Sequence, residues 1–263
     1  MINRVLNVLR CSHPFSSVMA TCAGIIISSK LLDSNLEITY LACIFLLAQF
    51  ITGIMNDYLD FHKDQTYQPS KPAVRLQIPR DDLKYGIIIC LILLLLLSIL
   101  VLPLLGVLLV TFGLLTAQSY NFGLKYSILS GFIFAGSFGL MLLIPVVYLM
   151  DGFPFSLVFL ISGGSIGFIL HLANANLDLN VDRQLGSHSL AVTLGESRIN
   201  YLVIGLFVVI DLLNQYYPIL LLSILFILVF STSQRNDTHK IRELGYYSCT
   251  VFSLFLLYLI PIN

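Results

Sequence analysis

The chain has 263 residues, of which 57% are hydrophobic and 11% are charged, and its 14 Lys and Arg residues balance its 14 Asp and Glu residues. Soluble domains carry about 25% charged residues, so this composition excludes an ordinary soluble domain and indicates an integral membrane protein. The zero net charge gives no electrostatic basis for a nucleic-acid partner.

Apolar runs separated by polar interruptions predict an all-α protein with about nine transmembrane helices, since a helix needs about 20 mostly apolar residues to cross the hydrocarbon. In chain order the predicted spans lie near 15–32, 37–56, 84–101, 104–120, 128–149, 155–175, 199–214, 217–232 and 245–262. Only Pro103 separates the third from the fourth, which predicts a hairpin with a very short turn. No linker or composition shift divides the chain, so we expect a single domain over residues 1–263.

The start of the chain does not resemble a removable signal peptide. Its basic segment is interrupted at His13-Pro14, and no small-residue cleavage site follows a short apolar core. We therefore expect the first span to be retained and to act as the insertion signal.

The five cysteines lie mostly within apolar runs and show no CxxC or CxxH spacing. This pattern predicts small buried hydrophobic side chains rather than a zinc site. The residues are Cys11, Cys22, Cys43, Cys90 and Cys249.

Basic residues predict the orientation, because loops on the cytoplasmic side are enriched in Lys and Arg. With a cytoplasmic N-terminus, only Lys30 among the 14 basic residues lies on the outer side. The long polar loops 57–83, 176–198 and 233–244 then all face the cytoplasm, and we expect the chemistry of the protein on that side. The inner basic residues are Arg4, Arg10, Lys63, Lys71, Arg75, Arg80, Lys84, Lys125, Arg183, Arg198, Arg235, Lys240 and Arg242.

An acidic cluster, "NDYLDFHKD", follows the second predicted span. On a helix, Asn56, Asp60 and Asp64 share one face at four-residue steps, and Asp57 joins them partly through its three-residue step to Asp60. Gln49 and Thr52 continue the polar stripe into the apolar run, which is not typical of a simple solvated helix end.

A second acidic cluster, "HLANANLDLNVDRQLG", follows the sixth predicted span. His171, Asn174, Asp178 and Asp182 are spaced to line one face of a helix. Like charges on one helix face repel each other and are costly to desolvate near lipid, so two such faces predict a compensating cation. Carboxylate and amide oxygens suit a hard ion, and Mg²⁺ is commonly held by a few carboxylates together with substrate phosphates.

Both clusters resemble motifs of the UbiA-type intramembrane prenyltransferases. That family carries NDxxDxxxD after its second span, matched by Asn56, Asp57, Asp60 and Asp64. It carries DxxxDxxxG after its sixth span, matched by Asp178, Asp182 and Gly186, followed here by "SLAVTLG". The tail of the second motif is most similar to the menaquinone and phylloquinone branch.

The resemblance implies a helical bundle around a central cavity in which each motif holds a Mg²⁺ ion against the diphosphate of an isoprenoid donor. Lys125 matches a family position facing the diphosphate and, with Asp60 and Asp178, is the predicted catalytic set. Further residues predicted to bind the diphosphate are Arg10, Lys63 and Arg183. Weaker candidates for contacting a small aromatic or lipid-soluble acceptor are Tyr120, His171 and Asn174. For Tyr120 and His171, the role of a buried polar group satisfied by hydrogen bonds is at least as good an explanation.

Some positions depart from the family pattern. The first motif commonly continues D-x-x-N-R-P-x-R-P, where this chain has Tyr67, Gln68 and Lys71 in place of Asn, Arg and Arg. Lysine keeps the charge of arginine but lacks its planar fork for bidentate phosphate binding. Leu177 replaces the arginine that precedes the aspartate in the menaquinone branch. These changes leave the predicted metal ligands in place and put the identity of the acceptor in question.

Two alternatives to an aromatic or quinone-precursor prenyltransferase remain open. A UbiA-type terpene cyclase would use the same diphosphate site, and the motifs do not separate it from a transferase. A polytopic transporter would typically show inverted repeats and charges in the middle of its spans. This chain has no visible repeat, and its acidic residues lie at span ends.

Overall fold

The computed structural model describes residues 2–148, 153–214, 226, 229–230, 233 and 239–259. Every regular element within these residues is helical, which confirms the predicted all-α class. The helices are α1 Ile2–Arg10, α2 Pro14–Leu31, α3 Asn35–Tyr67, α4 Pro72–Arg75, α5 Arg80–Val101, α6 Leu104–Asn121, α7 Ser130–Leu143, α8 Phe153–Ala175, α9 Leu179–Gln184, α10 Leu190–Leu194, α11 Glu196–Asn214 and α12 His239–Leu259. Short 3₁₀ turns span Leu124–Tyr126 and Pro145–Tyr148.

Five helical segments of the described chain are long and apolar enough to cross a membrane. They are Pro14–Leu31, Asn35–Tyr67, Arg80–Val101, Leu104–Asn121 and Ser130–Val147, and they carry the first five predicted spans. The predicted span 155–175 falls on α8, of which Phe159–Ala175 is a shorter apolar helix; 199–214 falls on α11 and 245–262 overlaps α12. The predicted span 217–232 lies largely outside the described residues, so the number nine stays a prediction.

The chain forms two compact units. The first comprises Met1–Phe122 and Leu140–Gly152, and the second comprises Gly123–Gly139 and Phe153–Asn263. Helix α7 contributes its first part to the second unit and its last turn to the first. The expectation of one domain over the whole chain stays a prediction.

The first unit is built around α3, which packs against α2 and α5. Gly24 of α2 lies where the ring of Phe45 of α3 packs, and a Cβ there would overlap a carbon of that ring. Leu41 and Ile44 of α3 and Leu94 of α5 are fully buried at these contacts. The two helices therefore hold α3 along most of its apolar length.

The turn between α5 and α6 is as short as the sequence predicts. Helix α5 ends at Val101, Leu102 is extended, and Pro103 precedes α6 directly. Proline has a fixed φ near that of a helix and no N–H to satisfy, so it starts a helix well. Leu100 and Leu104 beside the turn are 81% and 75% exposed, as expected for side chains that face lipid rather than protein.

Helix α3 is longer than its predicted span of 37–56. It continues to Tyr67, so residues 57–67, which the sequence assigned to a polar loop, are helical. The sequence provides the reason, since no Gly or Pro interrupts the run after Gly53 until Pro69. The side chain of Ser34 accepts a hydrogen bond from the amide of Glu37 and caps the other end.

The second unit is built around α8, which packs against α11 and α12. Gly167 of α8 faces Phe138 of α7, and a Cβ there would come within 2.6 Å of the Phe138 Cβ. Phe207 of α11 packs edge-on against Phe226 and Phe252, whose rings stack with centroids 4.6 Å apart. The Gly167 contact packs α8 against α7, and the phenylalanine contacts pack α11 against α12. Helix α8 leads into the second acidic motif.

Candidate active site

The first acidic motif lies on the continuous C-terminal part of α3. The predicted helical arrangement of Asn56, Asp60 and Asp64 on one face is therefore confirmed. Asn56 is 21 residues beyond the start of α3 at Asn35, which places it about 32 Å along the helix axis at a rise of 1.5 Å per residue. The hydrocarbon core of a bilayer is about 30 Å thick. The motif therefore begins where a helix that crosses this core would emerge from it.

Asp57 is the most deeply buried member of this motif, with no exposed surface. Its Oδ1 lies 3.3 Å from Nε2 of His13, and the thiol of Cys11 is also close. Among the described residues, neither oxygen of Asp57 has a hydrogen bond that meets ordinary distance and angle limits. Burial, and then the carboxylate of Asp57, raise the pKa of the Cys11 thiol to about 12.

Gly53 allows the connection between α1 and α2 to reach Asp57. A Cβ at Gly53 would lie 2.6 Å from the carbonyl carbon and oxygen of Ser12, a distance that backbone atoms do not tolerate. His13 adopts a left-handed conformation with φ of 51°, and Pro14 then begins α2. The close backbone approach one turn before Asp57 therefore brings the side chain of His13 to the carboxylate.

Asp64, the last residue of the motif, is paired with a lysine. Nζ of Lys71 donates a hydrogen bond of 2.8 Å to Oδ2 of Asp64, whose side chain is almost fully buried. Oδ1 of Asp64 is buried and has no hydrogen-bond partner among the residues described. Lys71 precedes α4, so this ion pair connects the end of α3 to the segment that follows it.

The second motif does not form one continuous helix, and the expectation that His171, Asn174, Asp178 and Asp182 share a helix face is wrong. Helix α8 ends at Ala175, a turn follows, and Asp178 precedes the short helix α9. The amide of Asp182 donates to the carbonyl of Asp178 at 2.9 Å, so these two aspartates keep a one-turn separation. Several Asn and Asp residues in this segment favour turns over helix interior, which explains the break.

Arg242 of α12 reaches the same turn, although the sequence analysis assigned it only to the positive inner side. Its Nη2 donates a 2.6 Å hydrogen bond to the carbonyl of Asn176 and lies 3.9 Å from Oε1 of Glu196. No local sequence signal links residues 66 positions apart, so only the structure reveals this contact.

Lys125 lies in the 3₁₀ turn Leu124–Tyr126 and is 9% exposed. Its Nζ is 5.3 Å from the centroid of the Tyr126 ring. The carbonyl of Tyr126 accepts a 3.0 Å hydrogen bond from the amide of His188, which follows the second motif. The structure therefore brings the Lys125 turn together with the tail of that motif.

His171 is buried in the second unit at 2% exposure. Its Nε2 lies 3.2 Å from Oγ of Ser130, which also accepts a hydrogen bond from the amide of Leu190. The ring of Phe134 packs beside it with centroids 5.5 Å apart. These contacts join α7, α8 and α10 and favour the alternative of a satisfied buried polar group over an acceptor-binding role.

The remaining predicted residues lie at the surface or half-buried. Arg10 is exposed at the end of α1 and donates to Oδ1 of Asn7 at 3.3 Å. Lys63 is half-buried on α3, and Tyr120 is half-buried on α6. Asn174 is exposed near the end of α8, and Arg183 is exposed on α9. Their predicted roles stay predictions.

Within the described residues, no three His, Cys, Asp or Glu side chains converge closely enough to form a preformed metal cage. The donor chemistry nevertheless fits Mg²⁺, because both motifs offer carboxylate oxygens and this ion often binds through only one or two carboxylates plus substrate phosphates. The buried Asp57 carboxylate, with the half-exposed imidazole of His13 at 3.3 Å, has the oxygens that such a cation would satisfy.

The apolar helices define a polytopic membrane protein with an acidic motif at the end of each of two helices. The chain belongs to the UbiA prenyltransferase family, whose family model matches residues 17–256. This confirms the resemblance to the family, while the menaquinone branch is not confirmed and stays a prediction.

Solved structures support the same fold. A UbiA homologue from Archaeoglobus fulgidus bound to DMAPP and Mg²⁺ has a TM-score of 0.69 at 12% identity, with 98% of this chain and 100% of that chain covered. A structure of digeranylgeranylglyceryl phosphate synthase has a TM-score of 0.67 at 17% identity, with 98% and 97% covered. An apo UbiA homologue from Aeropyrum pernix K1 has a TM-score of 0.65 at 14% identity, with 95% and 96% covered. Among curated proteins, none matches this sequence significantly.

Proposed function

We propose that this protein transfers a prenyl group from an isoprenyl diphosphate to an aromatic or quinone-precursor acceptor within the membrane, in a Mg²⁺-dependent reaction. The observation that carries the proposal is Asp57, a fully buried carboxylate without a well-formed hydrogen bond, at the point where an apolar helix would leave the hydrocarbon. A protein gains nothing in stability from such a group, so a ligand that compensates its charge is the simplest reason for it.

The two motifs divide the metal ligands between them. Asn56, Asp57, Asp60 and Asp64 would hold one Mg²⁺, with Asp64 limited by its ion pair with Lys71. Asp178 and Asp182 would hold a second. When bound, these ions neutralise the developing negative charge of the leaving diphosphate. The complexes of the Archaeoglobus fulgidus homologue with DMAPP and with GPP, each with Mg²⁺, support Mg²⁺-dependent binding of an isoprenyl diphosphate by analogy.

Basic side chains would bind the diphosphate oxygens that the metal ions leave accessible. Lys125 is the strongest candidate, because it is largely buried in a turn that hydrogen-bonds to the tail of the second motif. Arg10, Lys63 and Arg183 would contribute from more exposed positions. An ammonium group held away from bulk water interacts with phosphate more strongly than one on an open surface.

The reaction requires one bond to break and one to form. The allylic C–O bond of the donor breaks with its electron pair going to the diphosphate, and a carbon of the electron-rich acceptor bonds to the allylic carbon. The acceptor then loses a proton. The apolar helices supply the prenyl chain with a lipid-like environment and keep water from the allylic cation. Tyr120, His171 and Asn174 stay weak candidates for orienting the acceptor.

The membrane location follows from the family and from the five long apolar helices. We propose in addition that the N-terminus and the loops carrying both motifs face the cytoplasm, as the distribution of basic residues predicts. Fluorophore-maleimide labelling of single cysteines placed at residues 70 and 188, both exposed positions, in sealed inverted vesicles tests this orientation.

The function is tested by measuring diphosphate release from purified protein in nanodiscs. Mg²⁺ and geranyl, farnesyl or geranylgeranyl diphosphate are supplied with and without a panel of aromatic acceptors. Asp60→Asn and Asp178→Asn are the test variants, and Asp33→Asn, an exposed loop carboxylate, is the matched control.

We expect release that needs Mg²⁺, an acceptor and both motif aspartates but not Asp33. Comparable release without an acceptor, with a cyclic hydrocarbon as product, would instead establish the terpene cyclase. Absence of release with every donor from folded protein would refute catalysis and favour the transporter alternative.

A further inference from the structure

We propose that Arg242 is a positioning residue for the second aspartate pair, a role that rests on the proposed function. It fixes the turn from which Asp178 and Asp182 project. The contacts all lie within the second compact unit, between α8, α11 and α12.

The need for such a residue follows from how α8 ends. The last carbonyl groups of a helix have no helical amide to accept from, and each requires another donor. The amide of Asn176 still donates to the carbonyl of Leu172 at 3.0 Å, so the helical hydrogen bonds reach this residue before the turn. Asn176 has no exposed surface, so water does not supply the donor for its carbonyl.

Arg242 supplies that donor. Its Nη2 lies 2.6 Å from the carbonyl oxygen of Asn176, a short charge-assisted hydrogen bond. A guanidinium group at this end of α8 also interacts favourably with the negative end of the helix dipole. Both effects favour termination of α8 at this residue rather than one turn earlier or later.

Helix α11 completes the arrangement from the other side. Oε1 of Glu196 lies 3.9 Å from the same nitrogen of Arg242, and Oδ1 of Asn200 lies 3.5 Å from Nδ2 of Asn176. Three helices therefore meet at one residue, which precedes Asp178 by two positions. If Asn176 moves, Asp178 and the start of α9, which carries Asp182, move with it.

The test compares Arg242→Gln and Arg242→Lys with Arg198→Gln, an exposed arginine on α11 that serves as the control. Three quantities are measured in nanodiscs. They are hydrogen exchange in a peptide covering residues 171–184, binding of Mg²⁺ with the unreactive analogue geranyl thiolodiphosphate by thermal shift, and KM and kcat for the donor.

For Arg242→Gln we expect faster exchange in that peptide and about a tenfold weaker affinity for the Mg²⁺–analogue pair, the range for losing one charged hydrogen bond. KM for the donor should rise by a similar factor and kcat should change less. Arg242→Lys should be intermediate, and Arg198→Gln should match the unmodified protein.

Two results overturn the inference while leaving the proposed function intact. One is an unchanged rate of hydrogen exchange in the 171–184 peptide of Arg242→Gln. The other is faster exchange with unchanged binding of the analogue, which would mean that Arg242 has a purely structural role. If Arg242→Gln cannot be purified folded, Arg242→Lys decides, and binding equal to that of the unmodified protein overturns the inference. If the unmodified protein binds Mg²⁺ with none of the geranyl, farnesyl and geranylgeranyl thiolodiphosphates, the proposed function fails, and the inference fails with it.

Discussion

Replacing Asp57 by asparagine should stabilise the protein without ligand and remove its response to ligand. The substitution keeps the shape of the side chain and removes its charge. In the structure this carboxylate is fully buried, lacks a well-formed hydrogen bond, and has the half-exposed imidazole of His13 at 3.3 Å.

The magnitude follows from that environment. Burying an ionised carboxylate costs several kcal/mol even after the protein relaxes, and a single partly solvated partner offsets only part of this cost. Removing the charge should therefore raise the free energy of unfolding by about 1–3 kcal/mol. For a chain of this length, this corresponds to a rise in Tm of about 5 °C.

The assay is thermal unfolding in nanodiscs with and without Mg²⁺ and geranyl thiolodiphosphate. In the unmodified protein, ligand at about 100 times its Kd should add about 2.7 kcal/mol of stability. In Asp57→Asn the Tm without ligand should be higher, and the shift with ligand should be absent. Asp33→Asn, an exposed loop carboxylate, should change neither quantity.

The opposite pattern would refute the reasoning. A lower Tm without ligand would mean that the carboxylate stabilises the fold through contacts with His13 or Cys11. A full ligand shift in Asp57→Asn would mean that this residue does not compensate a bound cation.

Three further predictions test contacts around the first motif. Gly53→Ala should lower Tm by several degrees, since its Cβ would lie 2.6 Å from the Ser12 carbonyl group. Lys71→Met should destabilise by about 2–3 kcal/mol because it leaves the Asp64 carboxylate buried and unpaired, whereas Lys71→Arg should restore most of the loss in the same Tm measurement. Cys11, as the only cysteine left in the chain, should react with maleimide far more slowly at pH 8 than an exposed thiol, because burial and then the Asp57 carboxylate raise its pKa to about 12.

Each of these has a result that would contradict it. Unchanged stability of Gly53→Ala would show that the Ser12 backbone moves away without cost. Lys71→Met as stable as Lys71→Arg would mean that Asp64 does not need its cationic partner. Fast labelling of Cys11 at neutral pH would be inconsistent with a buried thiol beside a carboxylate.

The sequence predicted the elements whose signals are local. Long apolar runs located the first five spans, and Pro103 located the turn between α5 and α6, because both depend on consecutive residues. The face shared by Asn56, Asp60 and Asp64 was also predictable, since it requires only that the helix continue. The length of α3 was underestimated because hydrophobicity marks where lipid ends, whereas the helix ends only near Pro69.

The sequence could not predict contacts between distant segments. The approach of His13 to Asp57 depends on the absence of a Cβ at Gly53, and that of Arg242 to Asn176 on the packing of α12 against α8. The second motif was misread because its spacing of three and four residues fits a helix, while its Asn and Asp residues also favour the observed turn. Spacing alone does not decide between those two outcomes.

The unbroken length of α3 has a mechanical consequence. One rigid helix joins the lipid-embedded segment to the acidic end. A change in the tilt of α3 therefore moves Asp57 and Asp60. A rotation of 10° about Asn35 would displace a point about 32 Å along the axis by about 6 Å, more than the length of a metal–ligand bond. Helices adjust their tilt to bilayer thickness. The rate of diphosphate release should therefore pass through a maximum as the acyl chains of the surrounding phosphatidylcholine are lengthened from 14 to 22 carbons. A rate that does not change with acyl-chain length would show that α2 and α5 keep the tilt of α3 fixed.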